Sequence, residues 1–146
     1  ETVVRLADLE NIVAIKEATG SMQRASQLIA GLKGRVNVLS GDDFSAFPLY
    51  VLGGKGVISV VSNVMPKVMA DCWDAANGGD WDRARRLHYT VMPLVELLFV
   101  ESNPIPLKEA MALLGKMTPE IRAPLCRCSP ELRERLRQQL KQMGLL

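Results

Sequence analysis

The sequence is poor in the residues from which disulfide frameworks and metal sites are built. It has three cysteines and one histidine among 146 residues. An odd number of cysteines argues against a disulfide framework and favours a reducing compartment, so we expect a cytoplasmic protein. The C-x-C pair Cys126 and Cys128 supplies at most half of a metal site, because structural zinc takes four ligands. We therefore expect no metal and no other cofactor, and interpret these two cysteines as partly buried thiols.

Charge and hydropathy argue against two further classes of protein. The net charge is only +2, and no basic cluster is interleaved with aromatic residues, so we expect no nucleic-acid binding. No apolar run approaches the roughly 20 residues that span a bilayer, so we expect no membrane segment. The opening residues, ETVVRLADLE, have no initiator Met and no signal-peptide pattern, which we interpret as the start of a fragment. With 48% apolar and 23% charged residues, the composition is that of a globular domain with a real core.

Short apolar segments alternate with amphipathic ones over residues 1–79. After the end of a helix at 3–9, the pattern predicts strand 12–15, helix 22–32, strand 36–39, helix 44–52, strand 57–61 and helix 66–76. Strands that are almost continuously apolar are typical of a parallel sheet covered on both faces by crossover helices. The spacing of about 20–25 residues per unit fits a TIM barrel or a doubly wound sheet.

From residue 80 onward the pattern predicts helices alone. We expect one long helix at 80–100, which Pro93 should kink or split, and then a helix at 107–114. Thr118 and Pro119 suggest a short helical turn. Ser129 and Pro130 form a typical N-cap and first-turn pair for a last helix that Gly144 closes. The chain therefore divides into a strand-containing part, residues 1–79, and a helical segment, residues 80–146.

Lys16 ends the first predicted strand, in NIVAIKEATG. Alternation puts Ala14 and Lys16 on one face of the strand and Glu17 on the other. An ammonium group at the carboxyl end of a buried parallel strand is costly unless paired, and this is where such folds place their chemistry. Desolvation there favours a neutral amine, which can attack a carbonyl. A lysine that only forms a salt bridge at a strand end also explains the pattern, and both interpretations stay open.

Two segments contain glycines next to predicted strands: one follows the second strand, and the other precedes the third. In LSGDD, Gly41 would let the backbone approach a ligand, whereas the simpler interpretation is a tight turn with Asp42 or Asp43 capping the next helix. In GGKGVISV the glycines precede a strand instead of opening a helix, which argues against a phosphate site. His88 lies within the long helix without a nominated partner, so we interpret it as structural.

Five segments together resemble a known family. NIVAIKEATG, VLSGDD, LGGKGVISV, NVMPKVM and FVESNPIPLKEAMALLG follow the order and spacing of the C-terminal half of 4-hydroxy-tetrahydrodipicolinate synthase, also called dihydrodipicolinate synthase. The resemblance runs over essentially all 146 residues. KEATG with SGDD looks more similar to this family than to N-acetylneuraminate lyase or the keto-deoxy-sugar aldolases.

The resemblance implies a fold, an activity and three site residues. The fold would be the C-terminal half of a (β/α)8 TIM barrel, with strands six to eight in residues 1–79, followed by a helical C-terminal segment. Lys16 would form a Schiff base with pyruvate, whose enamine attacks the aldehyde of aspartate semialdehyde in lysine and diaminopimelate biosynthesis. Gly41 and Ile58 match positions that line the pyruvate site. The implied enzyme is a class I aldolase-type lyase that forms homo-oligomers.

The chain departs from the family by lacking its strands one to five. The missing strands would carry the threonine pair that holds the pyruvate carboxylate, the proton-relay tyrosine, the arginine for the second substrate and the allosteric lysine site. Tyr50 and Tyr89 do not match the position of the relay tyrosine. A related pyruvate lyase with another aldehyde, or a non-catalytic half-barrel that serves in assembly, therefore stays open. Three strands cannot close an eight-stranded barrel, and open strand edges attract other chains. We expect the chain to associate with itself or with the missing half, and to be inactive alone.

Overall fold

Helices and two short strands alternate in the first half of the chain, and helices alone follow. The computed structural model describes all residues 1–146. Its elements are α1 (Thr2–Leu6), β1 (Ala14–Glu17), α2 (Met22–Leu32), β2 (Asn37–Ser40), α3 (Asp43–Val51), a 3₁₀ turn (Val61–Asn63), α4 (Pro66–Asn77), α5 (Trp81–Leu98), α6 (Ile105–Leu113) and α7 (Pro130–Gln142). The chain forms two compact units, residues 1–59 with 70–86 and residues 60–69 with 87–146. None of the helices combines the length and hydropathy that a transmembrane span requires.

The sheet of the first unit is parallel, as the sequence predicts. β1 pairs with β2 so that Ala14 lies opposite Asn37 and Lys16 opposite Leu39. The connection between them is α2, the crossover helix that a parallel pair requires. α2 has the predicted bounds because both of its ends are specified locally. The Ser21 side chain accepts a hydrogen bond from Arg24 N, and Lys33 ends the helix in the left-handed conformation at φ 51°.

The predicted third strand, 57–61, is wrong. Val57 forms only a single parallel bridge, to Ser40, and Val61 already begins a 3₁₀ turn. The backbone pairs through Ser40 N to Gly56 O, 2.9 Å, and Ile58 N to Ser40 O, 2.7 Å. β2 ends at Ser40, because the chain then turns into α3. Residues after Ile58 therefore have no partner in β2, and the pairing of this segment stops there.

β1 starts two residues later than predicted, and only one of its faces is covered. The Ile12 amide bonds the carbonyl of Leu9 in a turn, so pairing with β2 begins beyond it. Glu17 is buried and Ile15 half-buried, whereas Ala14 and Lys16 are exposed. The expectation of a strand that is buried on both faces, with a buried Lys16, is therefore wrong for this chain. The core lies on the other side, where Ala25, Leu32, Val36, Val38 and Leu49 form a buried cluster that Ile15 joins.

The long helix α5 is not split at Pro93. A proline removes one backbone donor and leaves the carbonyl four residues earlier, here that of Tyr89, without its helical partner. Pro93 and Tyr89 are both exposed, so water can satisfy that carbonyl. The helix therefore continues from Trp81 to Leu98.

In the second unit, α6 and α7 pack against each other. Leu132, Leu136 and Leu140 recur at helical spacing and are buried. The predicted cap is confirmed, since the Ser129 side chain accepts a hydrogen bond from Leu132 N. The predicted helical turn at Thr118 is wrong, because residues 117–127 form no helix and are mostly exposed. One turn of helix is unfavourable unless it packs against something.

Candidate active site

Lys16 and Gly41 are brought together where β1 and β2 end. Gly41 N donates a 2.7 Å hydrogen bond to the carbonyl of Glu17, which aligns the two strand ends. An ideal Cβ at Gly41 would lie 2.6 Å from Lys16 Cε, 2.9 Å from Lys16 Cγ and 2.6 Å from Ala18 Cβ. The aliphatic stem of Lys16 therefore lies directly against the Gly41 backbone. The backbone conformation does not require glycine here, since Gly41 is not among the residues with positive φ. The close approach of the Lys16 stem does require it.

Ile58 joins this arrangement through Ser40. Its amide donates to the carbonyl of Ser40, which directly precedes Gly41. The Ile58 side chain is 48% exposed. The three residues expected from the sequence thus lie on three neighbouring segments, with Lys16 and Gly41 in contact and Ile58 linked to them by the main chain.

The turn that carries Gly41 is held by the buried Ser40 hydroxyl. Ser40 Oγ donates to Asp42 O, 2.7 Å, accepts from Asp42 N, 3.2 Å, and lies 3.1 Å from Ser45 Oγ. Asp42 in turn caps α3, because its Oδ2 accepts from Ser45 N at 2.9 Å. The capping interpretation of SGDD is therefore confirmed, and it is compatible with a backbone approach at Gly41.

Glu17 is a site feature for which sequence reasoning assigned no role. It lies on the face of β1 opposite Lys16, and its side chain is 3% exposed. Oε1 accepts from Thr19 N at 3.0 Å and from Thr19 Oγ1 at 2.5 Å, and lies 3.8 Å from Arg24 Nε. Alternation already placed Glu17 on the face opposite Lys16. Thr19, two positions later, carries a hydroxyl that could have predicted a hydrogen-bonded Glu17 carboxylate.

Tyr50 is poorly suited to proton transfer. It is buried and packs edge-to-face on Trp73, with 5.0 Å between the ring centroids. Burial, with smaller contributions from Cys72 and Asp43, raises the pKa of Tyr50 well above its ordinary value. The phenol therefore stays neutral at ordinary pH, which agrees with leaving Tyr50 out of the site.

One of the two C-x-C cysteines in the second unit, Cys128, has a perturbed thiol pKa. Burial, then Glu101 and Glu109, raise the pKa of the Cys128 thiol to about 11, against an opposing effect of Arg133. Ser129 donates from Oγ and N to Glu101 Oε1, at 2.6 and 3.3 Å. No group of three or more His, Cys, Asp or Glu side chains has the arrangement of a metal site.

The fold and the site define a class: a parallel α/β protein with a lysine at a strand's carboxyl end, against a glycine turn. The Dihydrodipicolinate synthetase family profile matches residues 1–143, and the chain belongs to that family. The resemblance stated from the sequence motifs is thereby confirmed.

Relatives and solved structures agree with this membership. The chain is 50% identical over 146 residues to 4-hydroxy-tetrahydrodipicolinate synthase of Geobacter sulfurreducens and 48% identical to that of Thermodesulfovibrio yellowstonii, and covers 50% of each. The dihydrodipicolinate synthase structure from Aquifex aeolicus superposes with a TM-score of 0.96 at 46% identity, over 99% of this chain and 50% of that one. The pyruvate complex from Acinetobacter baumannii has a TM-score of 0.95 at 43% identity, with the same coverage. The chain thus spans about half the length of the curated relatives it matches.

Proposed function

We propose that this chain is the nucleophile-bearing half of a lyase that condenses pyruvate with aspartate semialdehyde in lysine and diaminopimelate biosynthesis. The observation that supports it most directly is the packing of the Lys16 stem against the Gly41 backbone. The names of the relatives and the pyruvate bound to the Acinetobacter baumannii enzyme support the choice of reaction and of first substrate.

In this proposal Lys16 is the covalent catalyst. Its neutral amine adds to the ketone carbon of pyruvate, and loss of water leaves an imine. Loss of a methyl proton gives the enamine, whose carbon forms a bond to the aldehyde carbon of aspartate semialdehyde. The aldehyde C=O opens to a hydroxyl by taking up a proton, and the imine to Lys16 forms again. Ring closure by the semialdehyde's amino group on the imine carbon then releases the Lys16 amine. Gly41 leaves room for the substrate beside the lysine stem, and Ile58 supplies an apolar wall of the pyruvate site.

We place β1, β2 and the segment at Val57 as strands six, seven and eight of a (β/α)8 barrel, within residues 1–79, with residues 80–146 as the helical C-terminal segment. The chain's coverage of half of its relatives supports this placement. The exposed face of Ala14 and Lys16 supports association with the remaining half of the synthase or with further copies of this chain. Pyruvate and aspartate semialdehyde are the expected small-molecule partners.

Borohydride trapping tests the proposal. An assembly that contains both halves of the synthase is incubated with pyruvate, reduced and weighed by mass spectrometry, and we expect one adduct, on Lys16. Lys16→Ala should lose it, and Lys16→Arg, which keeps the charge but forms no imine under these conditions, should lose it too. An adduct retained in Lys16→Ala would contradict the assignment. An unmodified wild-type assembly would favour a non-catalytic half-barrel that serves in assembly.

A further inference from the structure

Glu17 follows the proposed nucleophile directly and has the opposite environment. Lys16 is exposed in this chain, whereas Glu17 is buried on the other face of β1. A buried carboxylate is costly unless its oxygens are partnered. The partners of Glu17 therefore indicate what this residue holds in place.

The Glu17 carboxylate secures the turn between β1 and α2. Both Thr19 donors, the amide and the hydroxyl, converge on Oε1. The Thr19 hydroxyl also accepts from Ser21 N at 3.3 Å, and Ser21 is the N-cap of α2. The Arg24 side chain is 59% exposed and lies 3.8 Å from the carboxylate, so its contribution is small. The essential feature is an acceptor oxygen at this position, and a negative charge is secondary.

This turn is in direct contact with the site. Ala18 lies between Glu17 and Thr19, and its Cβ packs against Gly41 beside the Lys16 stem. The Glu17 carbonyl accepts from Gly41 N. Glu17 therefore binds the Gly41 turn through its main chain and the Thr19 turn through its side chain. If Thr19 were released, Ala18 could move away from Gly41, and the turn against which the Lys16 stem also packs would lose this support.

We propose that Glu17 is a positioning residue for Lys16: through Thr19, its acceptor oxygen fixes the strand end on which the amine is carried. This inference rests on the proposed function of Lys16. Misplacement of a reacting group by about 1 Å can lower a rate roughly a hundredfold, so even a partial release should be measurable. The effect should fall on the rate of imine formation at saturating pyruvate, because Glu17 faces away from the substrate and has no part in binding it.

The test measures the rate of borohydride-trapped adduct formation against pyruvate concentration in the assembly that contains both halves. We expect Glu17→Ala and Thr19→Val to lower the saturating rate roughly tenfold or more, with the half-saturating concentration nearly unchanged. Glu17→Gln and Thr19→Ser keep the acceptor and the hydroxyl, and should stay within about twofold of the wild-type rate. This rescue by the conservative variants separates positioning from general destabilisation.

The outcomes distinguish this inference from the function on which it rests. A wild-type assembly that forms no adduct would overturn the proposed function, and this inference with it. A wild-type assembly that forms the adduct, with Glu17→Ala and Thr19→Val at the same rate, would overturn this inference alone. Should Glu17→Ala fail to fold, Thr19→Val decides, because Thr19 is exposed and valine keeps its shape. A rate loss in Glu17→Gln as large as in Glu17→Ala would also contradict the positioning role.

Discussion

The stem of Lys16 lies so close to Gly41 that a Cβ there would be 2.6 Å from Lys16 Cε. Real Cβ atoms do not approach other carbons to this distance, so any larger residue must displace the lysine or the turn. The lysine is the more mobile of the two, because the Ser40 hydroxyl and the Asp42 cap hold the turn. A side chain at position 41 would therefore displace the Lys16 amine before it disturbs the turn.

We expect Gly41→Val to impair pyruvate binding more than folding. The valine side chain would occupy the space beside Lys16. The pyruvate dependence of adduct trapping measures the effect on binding, and the unfolding midpoint measures the effect on folding. Gly54→Ala is the matched control, since its Cβ would lie 2.5 Å from Leu49 Cγ and clash with the core instead of the site. Unchanged pyruvate affinity in Gly41→Val, together with lowered stability, would mean that the glycine serves the turn alone.

Substituting Arg133 should destabilise the protein more than substituting its ion partner Glu109. Arg133 Nε lies 2.6 Å from Glu109 Oε1, with Glu109 at 3% and Arg133 at 47% side-chain exposure. Arg133→Met leaves a buried carboxylate without its ion partner and should cost about 2 kcal/mol or more. Glu109→Gln keeps an acceptor and leaves an arginine that water can reach, so it should cost less. Urea denaturation at fixed protein concentration measures both.

A surface pair on the same helix provides the control. Arg137 and Glu134 are 3.5 Å apart with 37% and 58% side-chain exposure. Arg137→Met should therefore cost only about 0.5 kcal/mol or less. Equal losses for Arg133→Met and Arg137→Met would show that burial of Glu109 adds nothing to the pair.

The two C-x-C thiols should differ in reactivity. A pKa of about 11 leaves Cys128 protonated at pH 8, with about one thiolate in a thousand. Because the pKa is raised, alkylation of Cys128 in a Cys126→Ser variant should accelerate about tenfold per pH unit from pH 8 toward 11. Cys126 is exposed, so the expectation of a partly buried thiol is wrong for this residue, and wild-type protein should be labelled there first. Glu101→Gln, which keeps an acceptor for Ser129 but removes the charge, should speed labelling of Cys128; faster labelling of Cys128 than of Cys126 at pH 8 would contradict the assignment.

The isolated chain should associate and should lack synthase activity. β1 pairs only with β2, which leaves its other edge open, and Val13 beside it is 67% exposed. Sedimentation at micromolar concentration should show oligomers whose proportion rises with concentration. Val13→Lys places a charge at this edge and should weaken that association, whereas Lys16→Ala should not. A compact, cooperatively melting wild-type monomer would show that the open edge and exposed side chains are tolerated.

Prediction from the sequence succeeded where the determining interactions are local. The sequence predicts helix α2 with its observed bounds, because the apolar stripe lies within the helix and the Ser21 cap and the stop after Leu32 directly flank it. The same is true of the Ser129 cap of α7. Strand 57–61 failed, because its length depends on how far β2 extends beside it. The β-branched pattern contains no information about that partner.

The sequence by itself determined the family, the helix bounds that are set by caps, and the alternation that places Lys16 and Glu17 on opposite faces of one strand. Each of these follows from residue identity at short spacing. Only the tertiary structure decided that Glu17 is the covered residue, that Thr19 satisfies its carboxylate, and that the Lys16 stem rests on Gly41. The last of these is a contact between residues 25 positions apart, brought together by the parallel register of β1 and β2. Alternation defines two faces of a strand, but which face is covered depends on where the rest of the chain packs.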